Sequence, residues 1–247
     1  MNAPDFDRAR AYALERLERE LPRNLFYHSL VHTRNEVVPA VQRLAALEGV
    51  EGGLLLLLLT AACYHDIGFL RSRQDHELAS VSIAQEVLPT FGYRPAQIRI
   101  IDQTILSTAA SETPHTLLEM ILVDADFDIL GTEAYQCRSD DLRRQLAAFG
   151  TTSSDEEWCR TQVDLLETHR YRTRAAHRLR DPGRQRNLEL ARGLLTACRE
   201  HMAPSPCRSR MVPSPCRSRM MPSPCRSRMV PSPCRKRMVP CTCRRRR

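Results

Sequence analysis

The sequence predicts an all-α globular body followed by a basic tail without regular structure. Three observations carry that expectation. Apolar residues recur at helical spacing through most of residues 5–199,. No segment alternates apolar and polar residues as a half-buried strand does,. From Pro204 the text changes to a nine-residue unit, PSPCRSRMV, repeated four times with almost no drift. Aromatics make up only 5% of the 247 residues, with a single Trp158. The core must therefore be built from Leu, Ile, Val and Ala, which suits helices.

Residues 5–20 read as an amphipathic helix. Over 29–48 a stripe of Leu30, Val31, Val37, Val38, Val41, Leu44 and Leu47 predicts another, kinked at Pro39,. Gly52-Gly53 interrupts the chain. Residues 54–65 are apolar on all sides, which predicts a centrally buried helix,. The run Leu54–Cys63 falls short of the roughly 20 residues that cross a bilayer. Helices are expected over 77–88 and 95–110, on either side of FGYRP, and over 116–130, stopped by Gly131,. Further helices are expected over 139–149 and 155–168, and a last one from about Arg184 to Arg199,.

The formal charge of +8 is divided unevenly along the chain. Residues 204–247 hold 13 Arg and Lys and no acid, which leaves 24 Arg against 29 acids in residues 1–203, a net of −5. A globular domain is thus expected over 1–203. The Pro- and Arg-rich repeat over 204–247 lacks bulky core residues and is expected to be disordered. Weak nucleic-acid contact is expected of that tail alone. No CxxC pair is present, so neither a zinc ribbon nor a thioredoxin-type site is indicated,. The first twenty residues show no apolar signal region, and no membrane partner is indicated; a cytoplasmic location is expected,.

Four polar groups interrupt the apolar background. His28 and His32 lie one helical turn apart. His65-Asp66 follows directly on the apolar helix. Asp75-His76-Glu77 comes next, and Asp124, Asp126 and Asp128 fall in an otherwise apolar segment. Charged groups beside buried helices are costly unless paired or bound to a metal. Imidazole nitrogen with carboxylate oxygen suits a divalent ion such as Mn, Ni, Co, Fe, Zn or Mg, with positions left open for water.

In that order the residues are similar to those of the HD superfamily of metal-dependent phosphohydrolases, a helical fold. The texts that carry the resemblance are YHSLVHTRNEVV, AACYHDIGF, DHELASVSIAQEVLPTFGY and ILVDADFDILG, with a C-terminal stretch from WCRTQVDLLETHRYRTRAAHRL. The likeness spans roughly residues 8–200. It implies an HD-domain helical bundle and a divalent metal held by His32, His65, Asp66 and Asp126. Asp126 is favoured over Asp124 because it stands in an Ala-Asp pair. Asp124 is then expected to orient a ligand. His28 is expected to contribute a further contact or to position water. His76, with Arg71 or Arg73, is expected to meet the substrate phosphate. The implied activity is hydrolysis of a small phosphate ester or nucleotide by an activated water, Asp66 assisting proton removal. A metal- or nucleotide-binding sensor without activity, and an HD-fold metal oxygenase, are the alternatives.

Overall fold

The computed structural model describes residues 3–202, and every regular element among them is helical. The repeat tail, with its expected disorder and nucleic-acid contact, lies outside the described residues. In chain order the α-helices are α1 (Phe6–Glu20), α2 (Val38–Leu47), α3 (Gly52–Tyr64), α4 (His76–Val87) and α5 (Pro95–Leu106). They continue with α6 (Leu117–Asp126), α7 (Tyr135–Ala148), α8 (Asp155–Thr168) and α9 (Arg174–Met202).

α3 is the centre of the main core. Every residue from Leu57 to Tyr64 is buried, and the helix packs against α1, α2, α5 and α6. Each fully buried Leu there contributes about 1.5–3 kcal/mol relative to exposure. α1 meets α3 through Ala9, Ala13 and Leu17, spaced four apart, and the Tyr64 hydroxyl donates to the Ala9 carbonyl at 3.0 Å. The apolar stretch Gly52–Leu70 is long enough to cross a membrane by length and composition, but 72% of it is buried within the protein. It is therefore core. A second cluster, including Leu130, Tyr135, Leu166, Leu188 and Leu195, joins the segment after α6 to α7, α8 and α9.

Capping explains where several helices begin. Asp5 accepts from the Arg8 N–H at 3.1 Å at the head of α1. Thr116 with Glu119, and Ser154 with Glu157, form reciprocal capping boxes on α6 and α8,.

Three expectations about elements are corrected. The stretch 29–48 holds not a kinked α-helix but a π-helical turn, His32–Val37, running into α2. Its wider loop lets the Val38 N–H reach the Thr33 carbonyl, directly ahead of Pro39, whose ring would clash with the carbonyl four residues back in an ordinary helix. The expected helix over 116–130 ends at Asp126 and gives way to a 3-10 turn, Asp128–Gly131. There Asp128 is drawn to Arg43 at 2.8 Å and Arg180 at 2.7 Å. α9 starts ten residues earlier than Arg184 and runs through Pro182. The gain is close packing: a Cβ on Gly183 would stand 2.0 Å from the Gly131 carbonyl oxygen, so only glycine lets α9 cross that turn.

Candidate metal centre

The ends of three elements converge on one buried point. His32 opens the π-helical turn, His65 and Asp66 follow α3, and Asp126 is the last residue of α6. His32, His65 and Asp66 are 1%, 1% and 4% exposed. Each offers one ligand atom, and these atoms lie within 4.8 Å of one another. His65 Nε2 stands 3.4 Å from Asp66 Oδ2 and 3.7 Å from Asp126 Oδ1. His32 Nε2 stands 2.9 Å from Asp126 Oδ1 and 3.8 Å from Asp66 Oδ2.

The surroundings fix how each ring is presented. His65 Nδ1–H donates to the Ala62 carbonyl at 2.9 Å, which turns Nε2 inward as the free nitrogen,. His32 Nδ1–H donates to Glu36 Oε2 at 3.0 Å, and Glu36 Oε1 is held by Arg138 Nε at 2.8 Å. Burial lowers the affinity of His32 for its second proton, but Asp126 and Glu36 outweigh it and carry the imidazole up to about 10. Burial works against the charged form of Asp66, yet His65, His76, His28 and His32 together hold it below the usual carboxylate range. Asp126 is likewise lowered against its burial, chiefly by His32.

His65 Nε2 and Asp66 Oδ2 are buried and have no hydrogen-bond partner among the described residues. Buried polar atoms are rarely left so. Two imidazole nitrogens and two carboxylate oxygens converging here form a donor set that fits a divalent ion.

Two further histidines flank this point. His76, the first residue of α4, has Nε2 3.5 Å from Asp66 Oδ1 and stacks on Phe69 with ring centroids 4.0 Å apart. Asp75 before it adopts φ 53, a left-handed conformation that Asp tolerates better than most residues,. The Tyr27 and His28 backbone N–H groups donate to Gln145 Oε1 at 3.0 and 3.1 Å, so Gln145 Nε2 must be the donor to His28 Nδ1 at 2.7 Å. His28 Nε2 then carries the proton. Burial pushes its pKa down to about 4, so the ring is neutral.

The fold is similar to that in the crystal structure of a predicted HD superfamily hydrolase from an uncultured Thermotogales bacterium. The TM-score is 0.54 at 19% sequence identity, over 78% of this chain and 93% of that one. The chain has the HD-domain fold. Neither a protein-family model nor a curated protein matches the sequence.

Within this HD domain the remaining residues singled out from the sequence go to different places. The Asp124 carboxylate accepts from the Arg172 N–H and from the N–H and hydroxyl of Thr173, at 2.8, 2.7 and 2.8 Å. The expectation that it orients a ligand histidine is therefore corrected: it fastens the segment before α9 to α6. Arg71 forks onto Glu86 at 2.8 and 2.6 Å, and Arg73 lies over the Phe149 ring at 4.4 Å. Both guanidiniums, expected at the substrate phosphate, are thus engaged elsewhere, one by a carboxylate fork and one by an aromatic face. Glu36 and Arg138 were not singled out. Glu36 is four residues after His32, a spacing visible in the sequence. Arg138 has no such signal, because its partners Phe26 and Tyr27 lie more than a hundred residues earlier.

Proposed function

We propose that this protein is a divalent-metal-dependent hydrolase of a small phosphate ester. The observation that carries the reading is the pair of orphaned, buried ligand atoms, His65 Nε2 and Asp66 Oδ2, beside His32 Nε2 and Asp126 Oδ1. His32, His65, Asp66 and Asp126 would hold the cation. When bound, it supplies a more acidic water and neutralises charge on the phosphoryl oxygens. Asp66 keeps Oδ1, next to His76 Nε2, to take the proton that the water gives up,. His28 is not a ligand in this scheme. Its Nε2–H is a donor, suited to a phosphoryl oxygen,. Glu36 and the Ala62 carbonyl hold Nδ1–H of the two ligand imidazoles and leave each Nε2 to the cation, at whose binding His32 gives up the second proton that Asp126 and Glu36 help it retain,. The water oxygen bonds to phosphorus as the ester P–O bond breaks, and the leaving oxygen departs with the electron pair and takes the proton that Asp66 received from the water.

The test is metal content by mass spectrometry on the full chain, followed by phosphate release from a panel of esters and nucleotides with added Mn, Ni, Co or Mg. Asp66→Ala and His65→Ala should lose both metal and turnover. Bound metal without turnover on any ester would favour a sensor or an oxygenase. Absence of metal after reconstitution of the wild type would end the proposal.

A further inference from the structure

Beside Asp126 and His28 lies a partly open cavity of about 210 Å³. Phe127, Ile129 and Leu130 from the turn after α6, Leu142 from α7 and Leu165 from α8 give it apolar walls. The polar groups in the wall are largely committed to one another. The Gln162 amide oxygen accepts from the Tyr135 and Ser139 hydroxyls at 2.7 and 2.8 Å. Arg138, the one guanidinium in the wall, is engaged by Glu36, by Asp141 at 2.8 Å and by the Tyr27 carbonyl at 2.8 Å. An anionic group placed here would lose its hydration and meet no uncommitted positive charge among the described residues,. An uncharged apolar group gains from the same walls. Size sets the other bound. An apolar cavity of about 150 Å³ takes up benzene, so this one accommodates a substituted ring or a fused pair.

We propose that this cavity receives the leaving group of the ester, and that the leaving group is an uncharged, mainly apolar alcohol one to two rings in size. The inference rests on the hydrolase reading for the bond that is broken. The preference itself belongs to the cavity walls and is measurable without turnover. In the reaction, water and ester give inorganic phosphate and the free alcohol, whose ring stays against Leu142 and Leu165 until release.

The experiment uses the full chain and 1-naphthol, followed by its fluorescence, with wild type, Leu142→Trp and the milder Leu142→Phe. Wild type should bind saturably, and Leu142→Trp at least tenfold more weakly, with circular dichroism checking that the helices persist. Turnover is then compared on the manganese-loaded wild type. kcat/KM for 1-naphthyl phosphate should exceed that for a nucleoside triphosphate at least tenfold. No naphthol binding by wild type, or binding by Leu142→Trp equal to that of wild type, overturns the inference, as does a preference for the triphosphate. Naphthol binding that Leu142→Trp removes, with no ester hydrolysed, would uphold the ligand class of the cavity and overturn the hydrolase reading. The two failures are thus distinct.

Discussion

Glu36 shows how far a side chain outside the ligand set can govern it. Its carboxylate lies between His32 Nδ1 and Arg138 Nε, so it fixes the His32 ring and is itself fixed. Residues in this position typically change metal affinity by about 10- to 100-fold when removed. Glu36→Ala should weaken metal binding by that order in calorimetric titration, and Glu36→Gln, which keeps an acceptor for Nδ1–H, by less. Equal affinity in all three would show that the ring is held by packing alone. Asp102 offers a contrasting residue, buried and outside the proposed chemistry. One oxygen accepts from Gln85 Nε2 at 2.9 Å, and the other is buried without a partner among the described residues. Burial raises its pKa in the folded protein, only partly offset by Gln85. A carboxyl whose folded pKa is raised binds its proton more tightly when folded. Stability then falls as pH rises through the interval above the unfolded value of about 3.9 and stays lower at neutral pH. Asp102→Asn should therefore stabilise the protein by about 1 kcal/mol at pH 7, the gain vanishing toward pH 3. Urea melts of both proteins at the two pH values measure it, and a gain independent of pH would exclude the charge as its cause.

Among the elements, the join between α3 and α4 is the most constrained. The 3-10 turn Ile67–Leu70 sits so close to α4 that a Cβ on Gly68 would meet the His76 carbonyl at 1.9 Å. Ser80 Oγ accepts from the Gly68 N–H at 2.8 Å and donates to the His65 carbonyl at 2.6 Å. One serine thereby fastens the His65-Asp66 backbone to the helix that begins with His76. Gly68→Ala must move α4 or the turn. It should cost about 3 kcal/mol or more in urea unfolding and should also weaken metal binding, because the displaced backbone carries two of the proposed ligands. Lost stability with unchanged metal affinity would show that the centre does not depend on this junction. The same segment shows what a sequence conveys. A charged pair at the end of an all-apolar run conflicts with simple burial, so His65-Asp66 was legible. Asp124 and Asp126 were not separable from the residues alone, since what occupies Asp124 is the backbone of residues 172–173, nearly fifty positions away. Pro182, inside α9, disfavours a helix locally,. α9 continues because its tight crossing at Gly131 and the apolar contacts of Leu188, Ala191 and Leu195 outweigh a local preference,.

At the scale of the molecule, the all-helical character of the described residues followed from apolar periodicity, and α3 was placed at the centre by its lack of a polar face. The cavity beside Asp126 was not foreseen, because its walls come from α7, α8 and the turn after α6, and packing between distant segments leaves no local pattern. Charge, by contrast, is fully visible in the sequence. Residues 1–203 carry a net of −5, and all thirteen cations of residues 204–247 stand without an acid among them. An acidic body disfavours a polyanion, whereas a cation-only segment releases counterions from DNA in proportion to the phosphates it neutralises. If about half of the tail cations make such contacts, affinity should fall roughly a thousandfold between 50 and 200 mM salt. The full chain should therefore be retained on immobilised DNA at low salt and elute steeply as salt rises, while a chain ending at residue 203 should pass through. Equal retention of the shortened chain would move the DNA-binding surface onto the acidic body and remove the tail from consideration. Retention of the full chain with little salt dependence would exclude an electrostatic origin, since contacts through arginine and phosphate cannot be indifferent to ionic strength.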